Sequence, residues 1–549
     1  MTLLAHWTQF YGSNNNSNPK NLPDGIGKDA RNLDTIHDDL RGRAAASLVF
    51  TLTGLGVQQE TIYRMGRDTA SDTAYWCTWA TDVNVVRSML ATDTTERTYY
   101  TGDGVPKFTD NTHLGTPPFP TGYNTLGVPA PTSTLFAAVG VAGTGPPETR
   151  VYTETFLRGN GDESAPNPAT ITIVCPGGST VALSGLAAAP SGSSGITTRR
   201  IYVSTGNDFQ RCVSQSASGT TATDDGVTRL EVLATGGSSA RPAWLTPPDD
   251  LTGLTELWNG MFGGFSGKSY RACVAYTPHA WPIEYEGIVP DTIVGTATFG
   301  QQWVLVTTGL PRVVTGSTSA SLSDQPIYLK QGGVSKRGVV GVGHGVCWPS
   351  KDGLCYFGTL FGPSVITKKF ISKAAWAALV PSSIVGVSWG DWYIGFYNNG
   401  TTRGGFMIDT TNPVGVIWLD QGADAVFFDM ISQSLYLLDT GNVIKKWDAG
   451  SSLTASFTTG IKRVPDKTTP GRAQVIATTY PVTFSLYANR VLVSGTFQDN
   501  VLIQTRSVLD SLPFPLPGNY GGASEFYVTV SGTGPMEAVL LAEETEDLP

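Results

Sequence analysis

Five histidines, His6, His37, His113, His279 and His344, are the side chains of this sequence whose ordinary titration falls near neutrality. A catalytic imidazole needs a nucleophile to deprotonate or a carboxylate to orient it. His279 sits in Thr277-Pro278-His279-Ala280-Trp281-Pro282, between prolines and an aromatic, and reads as a packed loop histidine. The chain has no G-x-S-x-G elbow, no H-E-x-x-H, no phosphate loop and no dinucleotide fingerprint. Its close carboxylate pairs are Asp38-Asp39, Asp249-Asp250, and Glu284 with Glu286. Glycoside hydrolysis uses two facing carboxyl groups from distant segments, so neighbours in sequence read as ordinary loop chemistry. Ser350-Lys351-Asp352-Gly353 is a partial sialidase-type turn whose Asp and Gly are adjacent, and Trp447-Asp448 occurs once without a companion Gly-His. The expectation is no catalytic residue and no enzyme.

Cys77, Cys175, Cys212, Cys273, Cys347 and Cys355 form no C-x-x-C pair. His344 and Cys347 have an H-x-x-C spacing, but no second ligand pair completes a zinc site. The cysteines read as small buried hydrophobes, reduced in a cytosol, with Cys347 and Cys355 the pair to watch because they flank one turn. No metal or cofactor is expected. The basic doublets Lys336-Arg337, Lys368-Lys369, Lys445-Lys446 and Lys462-Arg463 are scattered, and the net charge is −9. That balance argues against a protein gripping nucleic acid by phosphate neutralisation.

The elements that must carry these residues are strands. Sixty-four glycines and thirty-four prolines, with abundant Thr, Ser and Val, favour strands and turns. A two-turn signature recurs at about blade period. Its first turns are Asn259-Gly260, Gly300-Gln301, Gly343-His344-Gly345, Gly390-Asp391 and Ser432-Gln433, and a longer step reaches Asn489. Its second turns are Ser266 to Lys268, Thr308-Gly309, Ser350 to Gly353, Asn398 to Gly400, Asp439 to Asn442, and Gln498 to Asn500. This spacing predicts a mainly β protein with a β-propeller of about six blades over 244–510. Short strands between Gly, Pro and Ser clusters predict an immunoglobulin- or fibronectin-like sandwich over 130–243. Residues 1–129 read as an extended arm and β platform able to supply a closing strand, and 511–549 as a C-terminal extension. One helix is expected near Ser372 to Leu379, capped by Ser372 and stopped before Pro381. No apolar run approaches a membrane span, and the start shows no signal peptide.

A charged fraction of 15% is low for a free β-rich surface and suggests coverage by neighbours. From Trp244 to Gly358, a series of segments resembles the tail nozzle proteins of short-tailed bacteriophages, often called tail tubular protein B. They are Asp250-Leu251-Thr252-Gly253-Leu254, Asn259 to Phe265, Pro278 to Pro282, Gly309 to Gly316, Val334-Ser335-Lys336-Arg337 and Ser350 to Leu354. The resemblance spans roughly 130 to 450. It implies a structural virion protein, assembled in the host cytoplasm, with six copies ringed at the distal end of the tail. The implied partners are a tail adaptor or tubular ring, tail fibres, and double-stranded DNA passing without sequence-specific binding. The rival reading is a receptor- or glycan-binding propeller, with or without depolymerase activity, whose Trp389-Gly390-Asp391-Trp392-Tyr393 turn stacks on sugars.

Overall fold

The computed structural model describes residues 3–34, 39–66, 71, 73–168, 170–190, 195–204, 206, 208–234, 243–494 and 496–548. His37 and Asp38 fall outside them. The protein is mainly β, and its organising feature is a propeller-type ring of antiparallel sheets. In chain order, sheet 1 is the hairpin Thr61–Arg64 with Trp76–Trp79, and sheet 2 spans the strands from Asn84–Arg87 to Asn124–Thr125. Sheet 3 runs from Thr252–Glu256 to Glu286–Ile288, sheet 4 from Ile293–Phe299 to Ser323–Pro326, and sheet 5 from Val340–Val342 to Ser364–Val365. Sheet 6 runs from Val385–Trp389 to Ile417–Leu419, and sheet 7 from Ala425–Asp429 to Val443–Lys446. Innermost strands touch in the order 2-3-4-5-6-7-1. Met65, Cys77 and Trp79 of the sheet 1 region close the circle on Val83, Tyr100 and Leu114 beside sheet 2.

Turn chemistry accounts for the repeated hairpins. Each first turn joins an innermost strand to the second, and a left-handed residue sits there: Asn259 and Gly260, Gly300, Gly343, Gly390, and Gln433. The second strands are nearly continuous apolar runs, such as Trp303 to Val306 and Leu435 to Leu438, all buried. A sheet covered on both faces selects such runs instead of alternation. Sheet 7 owes its fourth strand to Ser47–Thr51, which pairs antiparallel with Val443–Lys446. The ring is thereby sealed by chain from its own beginning.

Two expected boundaries need correction. The Asn489 repeat does not belong to the ring: Val482–Asn489 and Val501–Val508 lie in a C-terminal module with Ala523–Gly532. Turn spacing marks any meander, whereas exposure separates the two cases. Val501–Val508 is exposed or half-buried along most of its length, as befits one face of a two-layer module. Nor is 1–129 a separate platform, since its strands make sheets 1 and 2 and the sealing strand. The segment 130–234 is thus an insertion between sheets 2 and 3. It holds a three-stranded sheet packed on a four-stranded one around Tyr152, Cys175, Val181, Leu183 and Ile201. Its interior also carries Asp224, which accepts from Arg150 at 3.1 Å and Tyr152 at 2.7 Å.

The arm welds the C-terminal module to the ring. Leu3–Trp7 pairs with Met536–Ala542, and Asp29–Arg31 bridges the outer strand of sheet 6 to Ala455–Thr458. One core joins Trp7, Val475, Phe484 and Val530 of the module with Ile394, Phe396 and Leu437 of the ring. The helix, Lys373–Ala378, is capped by Ser372 and anchored by buried Trp376, whose indole donates to Ser350 O at 2.9 Å. No helix among the described residues is long and apolar enough to cross a membrane.

Candidate functional sites and interfaces

The described histidines are dispersed. His6 lies on the edge strand Leu3–Trp7, and His113 is a surface residue 2.9 Å from Asp110. His344 occupies the first turn of sheet 5, 3.3 Å from Thr410 O. Three members of the carboxylate pairs, Asp250, Glu286 and Asp39, are structural ties. Asp250 accepts from Ser266, Glu286 meets Arg271, Glu284 is exposed, and Asp39 pairs with Arg41 at 2.6 Å. Asp352 of the sialidase-like turn is held by Gln331 at 2.9 Å and Lys373 at 3.1 Å. Among the described residues there is no group of three or more His, Cys, Asp or Glu able to hold a metal.

All six cysteines are buried and free. Burial pushes the thiols of Cys77, Cys212, Cys273 and Cys355 up to about 12. Cys347 pairs across its hairpin with Tyr356, and Cys355 with Trp348. Cys347 packs with Tyr356 in one core and Cys355 with Trp348 in another, so the two thiols occupy opposite faces of sheet 5. That hairpin cannot bridge them without a change of register.

Of the basic doublets, Lys336-Arg337 fastens the ring, and two others make ion pairs elsewhere. Lys336 lies 3.3 Å from Asp82, and Arg337 donates to Glu60 O at 2.9 Å and to Asp424 O. Burial lowers the pKa of both cations. Lys445 meets Asp439 at 2.6 Å, while Lys462 and Arg463 meet Asp24 and Glu525. Lys368 and Lys369 sit exposed before the helix.

A cleft of about 440 Å³ opens between the innermost strands of sheets 7, 1 and 2, reaching Glu256 of sheet 3. Its floor is an ion pair, Arg64 to Asp429 at 3.0 Å, each side chain 5% exposed. Arg64 also donates to Ser71 O, and Asp429 accepts from Ile431 N and Ser432 Oγ. These bonds hold the short sheet 1 against sheet 7, so this polar centre is a joint of the ring.

A second joint sits where the insertion leaves the ring. Asp162 of the insertion lies 3.3 Å from His279 in the connection between the last two strands of sheet 3, 3.6 Å from Arg97 just before a strand of sheet 2, and 3.7 Å from Arg158. Burial opposes its ionisation, but these three neighbours outweigh burial and hold its carboxyl below the ordinary value. His279 therefore positions a domain; its other face meets Trp244 edge-on at 5.5 Å.

The aromatic first turn of sheet 6 is divided by the structure. Tyr393 is fully buried and donates to Gly338 O at 3.0 Å. Trp389 and Trp392 pair across the turn and remain partly open. A cavity of about 250 Å³ lies beside them, lined by Leu33, Asp34, Arg43, Asp391, Met407 and Asp448. Trp392 also borders a second cavity of about 190 Å³ with Phe10, Tyr11, Asp409 and Asn412. Sequence reading found the two tryptophans but missed Arg43 and Asp34, which arrive from far along the chain with no local signal.

Large apolar side chains remain in solvent on two modules. Leu492 and Phe497 face each other across the hairpin Val491–Val493/Thr496–Gln498, at 51% and 64% exposure. Leu502, Leu509 and Leu512 are exposed in the same module. On the inserted sandwich, Phe136, Val141, Val174 and Val227 are exposed.

No protein-family model matches the chain, and no curated protein does. Among solved structures, it is similar to the WD40 domain of Neurospora crassa Pan2, at 8% identity and a TM-score of 0.25 over 45% of this chain and 71% of that one. It is similar to BBS1N, crystallised in complex with ARL6DN, at 12% identity and a TM-score of 0.30 over 74% and 97%. AztD of Citrobacter koseri gives 11% identity and a TM-score of 0.25 over 71% and 99%. The fold assignment rests on the sheet order described above.

Proposed function

We propose that this chain is a structural subunit of a virion, one of six copies forming the nozzle ring at the distal end of a short phage tail. In this reading the ring docks on a tail adaptor or tubular protein, carries fibres nearby, and retains and then conducts double-stranded DNA without catalysis. The insertion serves as an immunoglobulin-like docking module, and the seven sheets act as blades of one rigid propeller.

The observation that carries the proposal is the set of large apolar side chains left exposed on two modules, the sandwich and the C-terminal hairpin, where Leu492 and Phe497 stand opposite each other. Large apolar side chains left side by side in water mark an interaction site. Two different surfaces on one chain suit head-to-tail contacts, which close into a ring when the rotation permits. The resemblance between Trp244 and Gly358 supplies the count of six. A net charge of −9 on every copy disfavours adhesion of DNA phosphates. Cryo-electron microscopy of a virion carrying this chain should place six copies on the tail axis around a duplex-wide lumen of acidic and neutral loops. A chain lying off the axis, or a lumen dominated by Lys and Arg, would sink the proposal.

A further inference from the structure

From the cavity beside the first turn of sheet 6, we infer a binding site for a neutral pyranose sugar, built by Trp389, Trp392, Asp391, Asp448, Asp34 and Arg43. This goes beyond the nozzle reading and does not depend on it.

Arg43 is the decisive group. It is 6% exposed, yet it lines the cavity. Its guanidinium lies over the Trp447 ring, 3.3 Å from the centroid. Among the described residues its one hydrogen-bond acceptor is the sulfur of Met407, at 3.1 Å, and the nearest Asp448 oxygen is 3.7 Å away. A buried guanidinium carries five N–H donors, and a thioether is a poor acceptor. Donors of Arg43 without a protein acceptor among the described residues are open to the cavity it lines, and so are available to a ligand. Burial lowers its pKa to about 10. A ligand offering oxygen lone pairs to the cavity would take up those donors.

The surrounding groups select the ligand. Asp34, Asp391 and Asp448 line the same cavity. Three carboxylates beside one arginine make the site net negative, which disfavours a phosphate or carboxylate ligand. They accept hydrogen bonds, while Arg43 donates them. Vicinal hydroxyls of a sugar do both, and the C–H face of its ring stacks on indole. Asp391 is exposed: its backbone carbonyl accepts from Thr410, and among the described residues no donor meets its carboxylate. Gly390 holds the turn in the left-handed region at φ 57°, which sets Trp389 and Trp392 side by side.

The test uses the full-length protein and saturation-transfer NMR. The probes are methyl glucoside, galactoside and mannoside and N-acetylglucosamine at millimolar concentration, with methyl phosphate and tetramethylammonium beside them. At least one sugar should bind, and Trp392→Ala and Asp391→Asn should each weaken it about tenfold, or 1.4 kcal/mol. Both positions are at least partly open, and an unchanged thermal midpoint checks that each variant is folded. No sugar binding, equal binding by the variants, or preferential binding of methyl phosphate or tetramethylammonium would overturn the assignment.

Discussion

At the scale of residues, the polar chemistry of this chain is spent on joints. Arg64 with Asp429 and the cluster around Asp162 each connect segments that are remote in sequence. The Asp162 joint makes a pH prediction. Its folded pKa lies below the ordinary 3.8, so its contribution to stability is present above that value and lost as pH falls through the folded pKa. Asp162→Asn leaves Arg97 and Arg158 without their carboxylate, and removing one partner of a buried pair costs about 3 kcal/mol. Thermal unfolding should show a lower midpoint for the variant at neutral pH. The gap to wild type should begin to close near pH about 3.9, where the carboxylate protonates in the unfolded chain, and finish closing as pH falls through the lower folded pKa. A gap that persists unchanged into acid would show that Asp162 acts through packing instead of charge.

At the scale of elements, local grammar was readable and long-range closure was not. Asn259-Gly260, Gly300 and Gly390 announce hairpins because few other residues tolerate those backbone angles, and these turns, with Ser432-Gln433 at the same place in sheet 7, each join a first strand to a second. The strand Ser47–Thr51 carries no sign that its partner is Val443–Lys446, since pairing across such separation leaves no local mark. The same limit hid half of the sugar cavity: Trp389 and Trp392 stand in one turn, while Arg43 and Asp34 reach it through tertiary packing. It also let the Asn489 turn pass for a blade. The sealing strand can be tested directly. Phe50 pairs with Ile444 and packs partly buried against the core of Trp76, Tyr436 and Leu438. Phe50→Asp should destabilise the protein by about 2 kcal/mol through lost burial, and expose the edge of Val443–Lys446 to pairing with other chains. Chemical denaturation measures the first effect and light scattering during heating the second. A variant as stable as wild type would mean that the ring stays closed without this seal.

At the scale of the whole molecule, the question is why a chain with so well-fastened a ring leaves apolar side chains in water. Leu492 and Phe497 add nothing to the core of their own module, as both are more than half exposed. A hairpin that projects them side by side has the geometry of a knob, and the sandwich presents Phe136, Val141, Val174 and Val227 on a different module. If these surfaces hold neighbouring copies together, Leu492→Asp with Phe497→Asp should abolish assembly while leaving the isolated chain intact. Surface substitutions of this kind change folding stability by no more than about 0.5 kcal/mol. A charge buried at an apolar contact costs several times that in association. Sedimentation velocity should show the wild type shifting to a large closed species as concentration rises, with the double variant remaining a monomer of unchanged melting temperature. Under the proposed virion role, the variant should also be missing from particles purified from infected cells. Rings of wild-type size from the double variant, or its normal incorporation into particles, would remove the hairpin from the interface and leave the sandwich surface to account for assembly alone.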